Sequence, residues 1–411
     1  MGLTIKKNNY PYRWAWLSAL AIFVLAGTTG ALMRFGNIYG FPWGLQFANV
    51  RHAHSHLMYF GWVTPALMSL IASQLPTVSG RPLSNRFHWP IIMALIGGLL
   101  AYVPFLLYGY RPAIINGNQI PLSVIFAGLN IVAWYVFIWQ YWQETRGAAR
   151  NYPLQLWDGA LVFLFYASIG GWGLAIITRI GIEDPFWSLA FTHIFLDTFA
   201  FGWFLLGLLG LIYTTNPAAA GSKLARSSIN LVVIGMPVIF LLGMPQHVVP
   251  PGLRWLGALG GLLVAAGLIG HIVVLWPLAG RKWKVPLFFL GLTAVTLLAT
   301  LLPSVARWAT IAGLRIPYLH WLLLGFVTLG LVSAAQEKWG EEAIPGRRWM
   351  TLAVILLIIS LMPLTSLWPH FLRGVWTRHF NAWASIGPAL VGAGILLTVW
   401  LRRDKGTPDS I

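Results

Sequence analysis

The chain has 411 residues, 58% of them hydrophobic and only 9% charged. A water-soluble protein of this length needs far more charge to cover its surface, so the balance excludes a soluble enzyme and fits a chain solvated by lipid. The formal net charge of +17 is no nucleic-acid footprint, because the basic residues stand singly or in pairs between apolar runs, where they set topology and meet anionic lipid.

Cysteine is absent, which excludes disulfides, iron–sulfur clusters and thiolate metal sites. A membrane span needs roughly 20 apolar residues. In chain order the apolar runs predict twelve: 14–33, 50–75, 87–108, 121–142, 156–178, 186–213, 227–243, 253–276, 285–302, 311–335, 349–367 and 379–401. Lys6 and Lys7 before the first run mimic a signal peptide, but that run is long enough to span and no cleavage-type motif follows. The longest polar stretches, 338–348 and 402–411, have loop or tail length. The expected architecture is therefore an all-α, polytopic bundle of about twelve transmembrane helices, one integral membrane domain over 1–411. An even number of spans puts both termini on one side. Eighteen of the 27 basic residues fall in the tails and even-numbered loops, which makes that side cytoplasmic, in a bacterial cytoplasmic membrane.

With that topology, depth follows from a rise of about 1.5 Å per residue. His54, His193 and His320 each fall early in a span that runs inward, and His247 falls just beyond one that runs outward. Four separate helices thus deliver imidazoles to one depth, a metal or heme geometry. A lone histidine in a helix is more often a hydrogen-bonded core residue, yet ionisable groups in spans are costly and tend to be functional. His52, His370 and His379 lie near the outer interface, His271 lies toward the inner side, and His88 reads as structural. His52, His54 and His56 form an H-x-H-x-H string whose members cannot all face one site on a helix. Asp197 is an acidic residue well inside a span, which is expensive unless it is paired or coordinating.

The run Ala53-His54-Ser55-His56-Leu57-Met58-Tyr59-Phe60, continued by Gly61-Trp62-Val63-Thr64-Pro65, resembles the second helix of the heme-copper oxidase superfamily. Arg51 resembles the R-x-x-H form of cbb3-type oxidases and nitric oxide reductases. His320, within Tyr318-Leu319-His320-Trp321-Leu322-Leu323-Leu324-Gly325, resembles the second histidine of the tenth-helix H-x-H motif. His193 matches the sixth-helix histidine, and Gly243-Met244-Pro245-Gln246-His247 resembles the seventh-helix G-x-x-H-H segment. The resemblance covers helices two to ten.

It implies a heme b held by His54 and His320, with room for a second heme, and a copper or non-heme iron at His193, Asp197, His247 and Gln246. Asp197 stands where nitric oxide reductases have a glutamate, and Tyr318 where the high-spin heme ligand would be, so both are expected to be catalytic. Arg51, Arg254, Arg307, Arg315, Arg373 and Arg378 lie toward the outer face, and Arg51, Arg373 and Arg378 are the leading partners for heme propionates. The implied activity is reduction of oxygen or nitric oxide, with electrons from a partner subunit, a cytochrome c or a quinol. Two other readings stay open. One is a non-catalytic heme protein of the same fold, similar to heme-copper proteins of nitrosative stress, which the Tyr318 and Gln246 departures favour. The other is a twelve-helix secondary transporter, although the two halves show no matching repeat.

Overall fold

The computed structural model describes residues 10–403; the tail charges Lys6, Lys7 and Lys405 used for topology lie outside the described residues. Apart from one hairpin, Ala113–Ile115 against Asn118–Ile120, the regular elements described are helices. They are α1 (Arg13–Tyr39), α2 (47–79), α3 (His88–Tyr108), α4 (Leu122–Thr145), α5 (Tyr152–Ile180) and α6 (Pro185–Thr215). Then follow α7 (Lys223–Gly235), α8 (Pro251–Leu278), α9 (Lys284–Thr300), α10 (Pro303–Ile311), α11 (Arg315–Trp339), α12 (Arg347–Leu361) and α13 (Val375–Arg403).

Nine helices among the described residues are long and apolar enough to cross a membrane, or ten if α9 and α10, bent by 115°, form one broken span. The expected figure of twelve exceeds that measure at two places. The run 50–75 is helical, but α2 carries Arg51 and three histidines at its start. The run 227–243 breaks where α7 gives way to a tight turn at Met236–Val238 and a short helix, Phe240–Gly243. Outward faces are apolar, with Val162 62% and Val295 60% exposed, as expected of side chains that meet lipid.

Three crossings share one local irregularity. In α2, α6 and α11 the backbone widens to a π-helix over Leu57–Val63, Thr198–Leu205 and Trp321–Thr328. π turns are rare and concentrate at functional sites. Here each begins directly after a polar residue, in a repeated pattern: His56-x4-Gly61-Trp62, Asp197-x4-Gly202-Trp203 and His320-x4-Gly325-Phe326. A side chain on any of these glycines would collide with the preceding partner helix, at Ile22 of α1, Phe163 of α5 and Phe289 of α9 respectively.

The three crossings also hold one another in a ring. Trp62 Nε1 donates to Thr328 Oγ1 at 3.1 Å, and Trp203 Nε1 donates to Thr64 Oγ1 at 3.4 Å. At the third junction the equivalent residues are Phe326 and Leu205, which cannot form that hydrogen bond. Thr64 and Thr328 in turn donate to the carbonyls of Tyr59 and Leu323, five residues back, which the π widening deprives of their ordinary partners. Gly207 packs on Leu67 and Gly330 on Leu208, again one repeat onto the next. Three crossings thus repeat one local pattern, which is not the two-inverted-halves arrangement of the transporter kind.

This packing predicts that Gly202→Val forces a methyl into Phe163 and destabilises the bundle by about 1–3 kcal/mol. Gly394→Val, which meets nothing within 4 Å, is the matched control. Thermal unfolding in detergent should show a lowered midpoint for the first substitution only.

Candidate functional site

The repeat aligns the chemistry-bearing residues as well as the glycines. Two residues before His56, Asp197 and His320 stand His54, Phe195 and Tyr318. Two further back stand His52, His193 and Ile316. Neighbouring units contribute to three equivalent crevices at one end of the bundle.

The first crevice lies between α2 and α11. His54 and His320 lie within electrostatic reach of each other, about 10 Å and 8 Å along their helices from the starts of α2 and α11. His54 Nδ1 is 2.8 Å from the carbonyl oxygen of Ala26 in α1. A carbonyl only accepts, so Nδ1 carries the proton and Nε2 holds a free lone pair. The ring reaches that carbonyl because residue 30 is glycine; a Cβ there would stand 2.9 Å from His54 Cε1. His320 Nδ1 is 2.8 Å from the Ile316 carbonyl of its own helix, with the same consequence. Two imidazoles with Nδ1 committed and Nε2 available form the donor set of a bis-histidine heme. Of the H-x-H-x-H string, His54 alone takes this direction. His56 stacks on Phe105 at 3.7 Å, and His52 lies edge-on to Tyr110 at 4.8 Å.

Arg34 was missed by the sequence reading. It lies within electrostatic reach of both His54 and His320, is half-buried, and makes no hydrogen bond or ion pair among the described residues. An unpaired cation inside a span calls for an anionic or accepting partner. The expected end of the first span at Met33 had put Arg34 in a loop, whereas α1 continues to Tyr39. The arginines expected to pair with propionates lie at the surface instead. Arg51 is exposed over the Phe47 ring, Arg373 donates to the Thr365 carbonyl, and Arg378 is exposed. Arg254 donates to the Val249 carbonyl, and Arg307 and Arg315 are exposed.

The second crevice lies between α6 and α11. His193 is 4% exposed, and its Nδ1 donates to Asp197 Oδ2 at 2.9 Å, one turn along the same helix. The backbone of Gly243 lies directly over this pair; a Cβ there would collide with Asp197 Oδ2 and stand 2.6 Å from His193 Nδ1. Tyr318 lies within electrostatic reach of Asp197 and of Tyr59, a second phenol that the sequence reading did not assign.

The expected four-residue metal set is not gathered here. Among the described residues no three His, Asp or Glu side chains are grouped as metal ligands. The helix ends at Gly243, and Met244 is extended. His247 is consequently exposed, and Gln246 donates to the Pro303 carbonyl at 3.4 Å.

The third crevice, between α2 and α6, is plugged. Phe60, Trp134, Phe195 and Phe199 pack with ring centroids 4.9–6.4 Å apart. The remaining buried histidine, His271, bonds Tyr213 at 3.0 Å, and the Asp158 carboxylate accepts from Tyr141 at 2.9 Å and pairs with Arg150.

No family model matches this chain, and no curated protein sequence matches it. Among solved structures it is similar to a heme-copper terminal oxidase described as a dimer by cryo-EM, with a TM-score of 0.69 at 13% sequence identity. The match covers 95% of this chain and 84% of that one. The two share a fold over nearly the whole of this chain.

The unpaired state of Arg34 predicts that Arg34→Met stabilises the cofactor-free protein by an amount on the order of 1 kcal/mol. Melting of cofactor-free protein in detergent checks it: the variant should melt above the parent, and a lower midpoint would show that Arg34 has a structural partner.

Proposed function

We propose that the chain is a heme b-binding membrane oxidoreductase subunit, with the heme held between His54 and His320. The observation that carries this reading is the pair of imidazoles on facing crossings, each with Nδ1 tied to a carbonyl and Nε2 left as a lone pair. The fold shared with a heme-copper terminal oxidase supports it. His54 and His320 would hold the heme, which would supply one-electron transfer when bound.

The protein's own residues do the rest. The Ala26 and Ile316 carbonyls fix the tautomer and aim of each ligand. Gly30 gives the His54 ring its place, and Arg34 balances negative charge at the heme edge. Electrons would come from a partner subunit, a cytochrome c or a quinol, the substrate would be oxygen or nitric oxide, and the His193–Asp197 pair is placed to hold or hand on a proton. In this reading 1–411 is one integral membrane domain in a bacterial cytoplasmic membrane, with both termini cytoplasmic. The exposed position of His247 favours a second reading, a heme protein of the same fold that binds nitric oxide without turning it over.

Heme quantification and low-spin electron paramagnetic resonance on purified protein test the proposal. His54→Ala and His320→Ala should each abolish the low-spin b-type signal, and retention of that signal in either would overturn the ligand assignment. Gly30→Val, which pushes the His54 ring off the Ala26 carbonyl, should weaken heme binding by about 10–100-fold. Turnover of oxygen or nitric oxide by the intact protein separates the enzyme from the binding protein.

A further inference from the structure

The H-x-H-x-H string is divided by the helix that carries it. Residues 47–56 of α2 are α-helical, and the π turn starts only at Leu57. His52 and His56 therefore stand one turn apart on one face, while His54 points away from them. The heme reading takes up His54 and leaves the other two unused.

The chain leaving α3 crosses α2 at this point and places a phenol beside the pair. Tyr110 Oη is 3.1 Å from His56 Nε2, and the Tyr110 ring lies edge-on to that of His52 at 4.8 Å. The crossing is pinned to α2 on either side of Tyr110. Asn49 Nδ2 donates to the Leu107 carbonyl at 2.9 Å, and Arg111 donates to Gln46 Oε1 at 3.0 Å. Between these ties Gly109 turns with φ at 60°, so close to α2 that a Cβ would collide with Asn49 Oδ1. Phe105 stacks on the His56 ring at 3.7 Å and fixes its plane.

The donors gathered here are incompletely used. His52 makes no hydrogen bond among the described residues. His56 Nδ1 is buried without a partner, so among the described residues Tyr110 alone holds that ring by a hydrogen bond. The place is also accessible, with Tyr110 56% exposed and His52 half-buried.

We propose that His52, His56 and Tyr110 form a binding site for one divalent transition-metal ion of the zinc(II) or copper(II) class. Two ligands at about 2.0–2.1 Å from a tetrahedral zinc ion stand roughly 3.3 Å apart, so the 3.1 Å gap between Tyr110 Oη and His56 Nε2 is already close to that of a ligand pair. The ion takes the place of the proton shared by Tyr110 and His56. That proton leaves to solvent as the phenolate forms. His52, one turn along the helix and held by no hydrogen bond, supplies the third donor. Imidazole and phenolate suit zinc(II) and copper(II), and no carboxylate belongs to the set, so calcium and magnesium find no site here. The site lies on a different face of α2 from His54, and the two proposals can fail separately.

Calorimetric titration of the purified, intact protein with zinc(II) at about pH 8, where free imidazoles are neutral, tests the site. One saturable equivalent should bind, and neither calcium(II) nor magnesium(II) should compete for it. His52→Ala and His56→Ala should each weaken it by about 100-fold, the upper end of what loss of a supporting residue costs a metal site. His370→Ala removes a single exposed imidazole and should leave it unchanged. Tyr110→Phe keeps the ring, so weaker binding that releases one proton fewer would mark the phenol as a ligand and not as packing. With copper(II), electron paramagnetic resonance of the intact protein should show splitting from two imidazole nitrogens, a readout that needs no variant. No saturable equivalent, or one that survives both histidine substitutions, would overturn the proposal. Unchanged proton release in Tyr110→Phe would overturn the three-ligand set.

Discussion

An imidazole can be offered to a metal from inside an apolar bundle only if its other nitrogen is tied down. Left free, the ring would have two tautomers and several rotamers, and each unpaired polar atom would stand in a medium without water. In this chain the tie is a carbonyl on a neighbouring helix for His54, a carbonyl one turn back for His320, and a carboxylate one turn on for His193. Each tie sets Nδ1 as the protonated atom and points a lone pair into a crevice. Removing the Ala26 contact would cost orientation before it cost stability.

The crevices exist because three crossings repeat one solution. A polar residue, a π turn, a glycine and an aromatic ring follow one another in α2, α6 and α11. The glycine brings each crossing close to the helix that precedes it, and the aromatic ring reaches to the next unit. Two of the three junctions are closed by tryptophan–threonine hydrogen bonds, and at the third the equivalent positions are the apolar Phe326 and Leu205. Repetition fixes the scaffold while the residues two and four positions before each polar residue are free to differ. One scaffold thereby yields an imidazole pair, a phenol with a carboxylate, and a hydrophobic plug.

Much of this was legible in the residues. The lipid environment follows from composition, and the apolar runs already placed His54, His193 and His320 on three separate helices. The choice of His54 from its string agrees with the directions of His52 and His56, which pack on Tyr110 and Phe105. What escaped had definite causes. Arg34 was lost because helices do not stop where apolar runs thin out, and α1 goes six residues beyond the expected boundary. His247 was grouped with His193 by its depth and by the resemblance of 243–247 to the G-x-x-H-H segment, whereas the helix ends at Gly243 and His247 is exposed. The repeat was overlooked because only its polar residue, glycine and aromatic recur, far apart along the chain. A search for thirds instead of halves, keyed on Gly61-Trp62, Gly202-Trp203 and Gly325-Phe326, would have found it.

The central claim is spatial, and a cryo-EM density map of the purified, intact protein tests it most directly. The account predicts a flat, macrocycle-sized density between α2 and α11, bridged on its two faces to Nε2 of His54 and of His320, with Arg34 at its edge. A map in which that crevice is closed by side chains or filled by a lipid tail, with the two imidazoles turned away from each other, would contradict it.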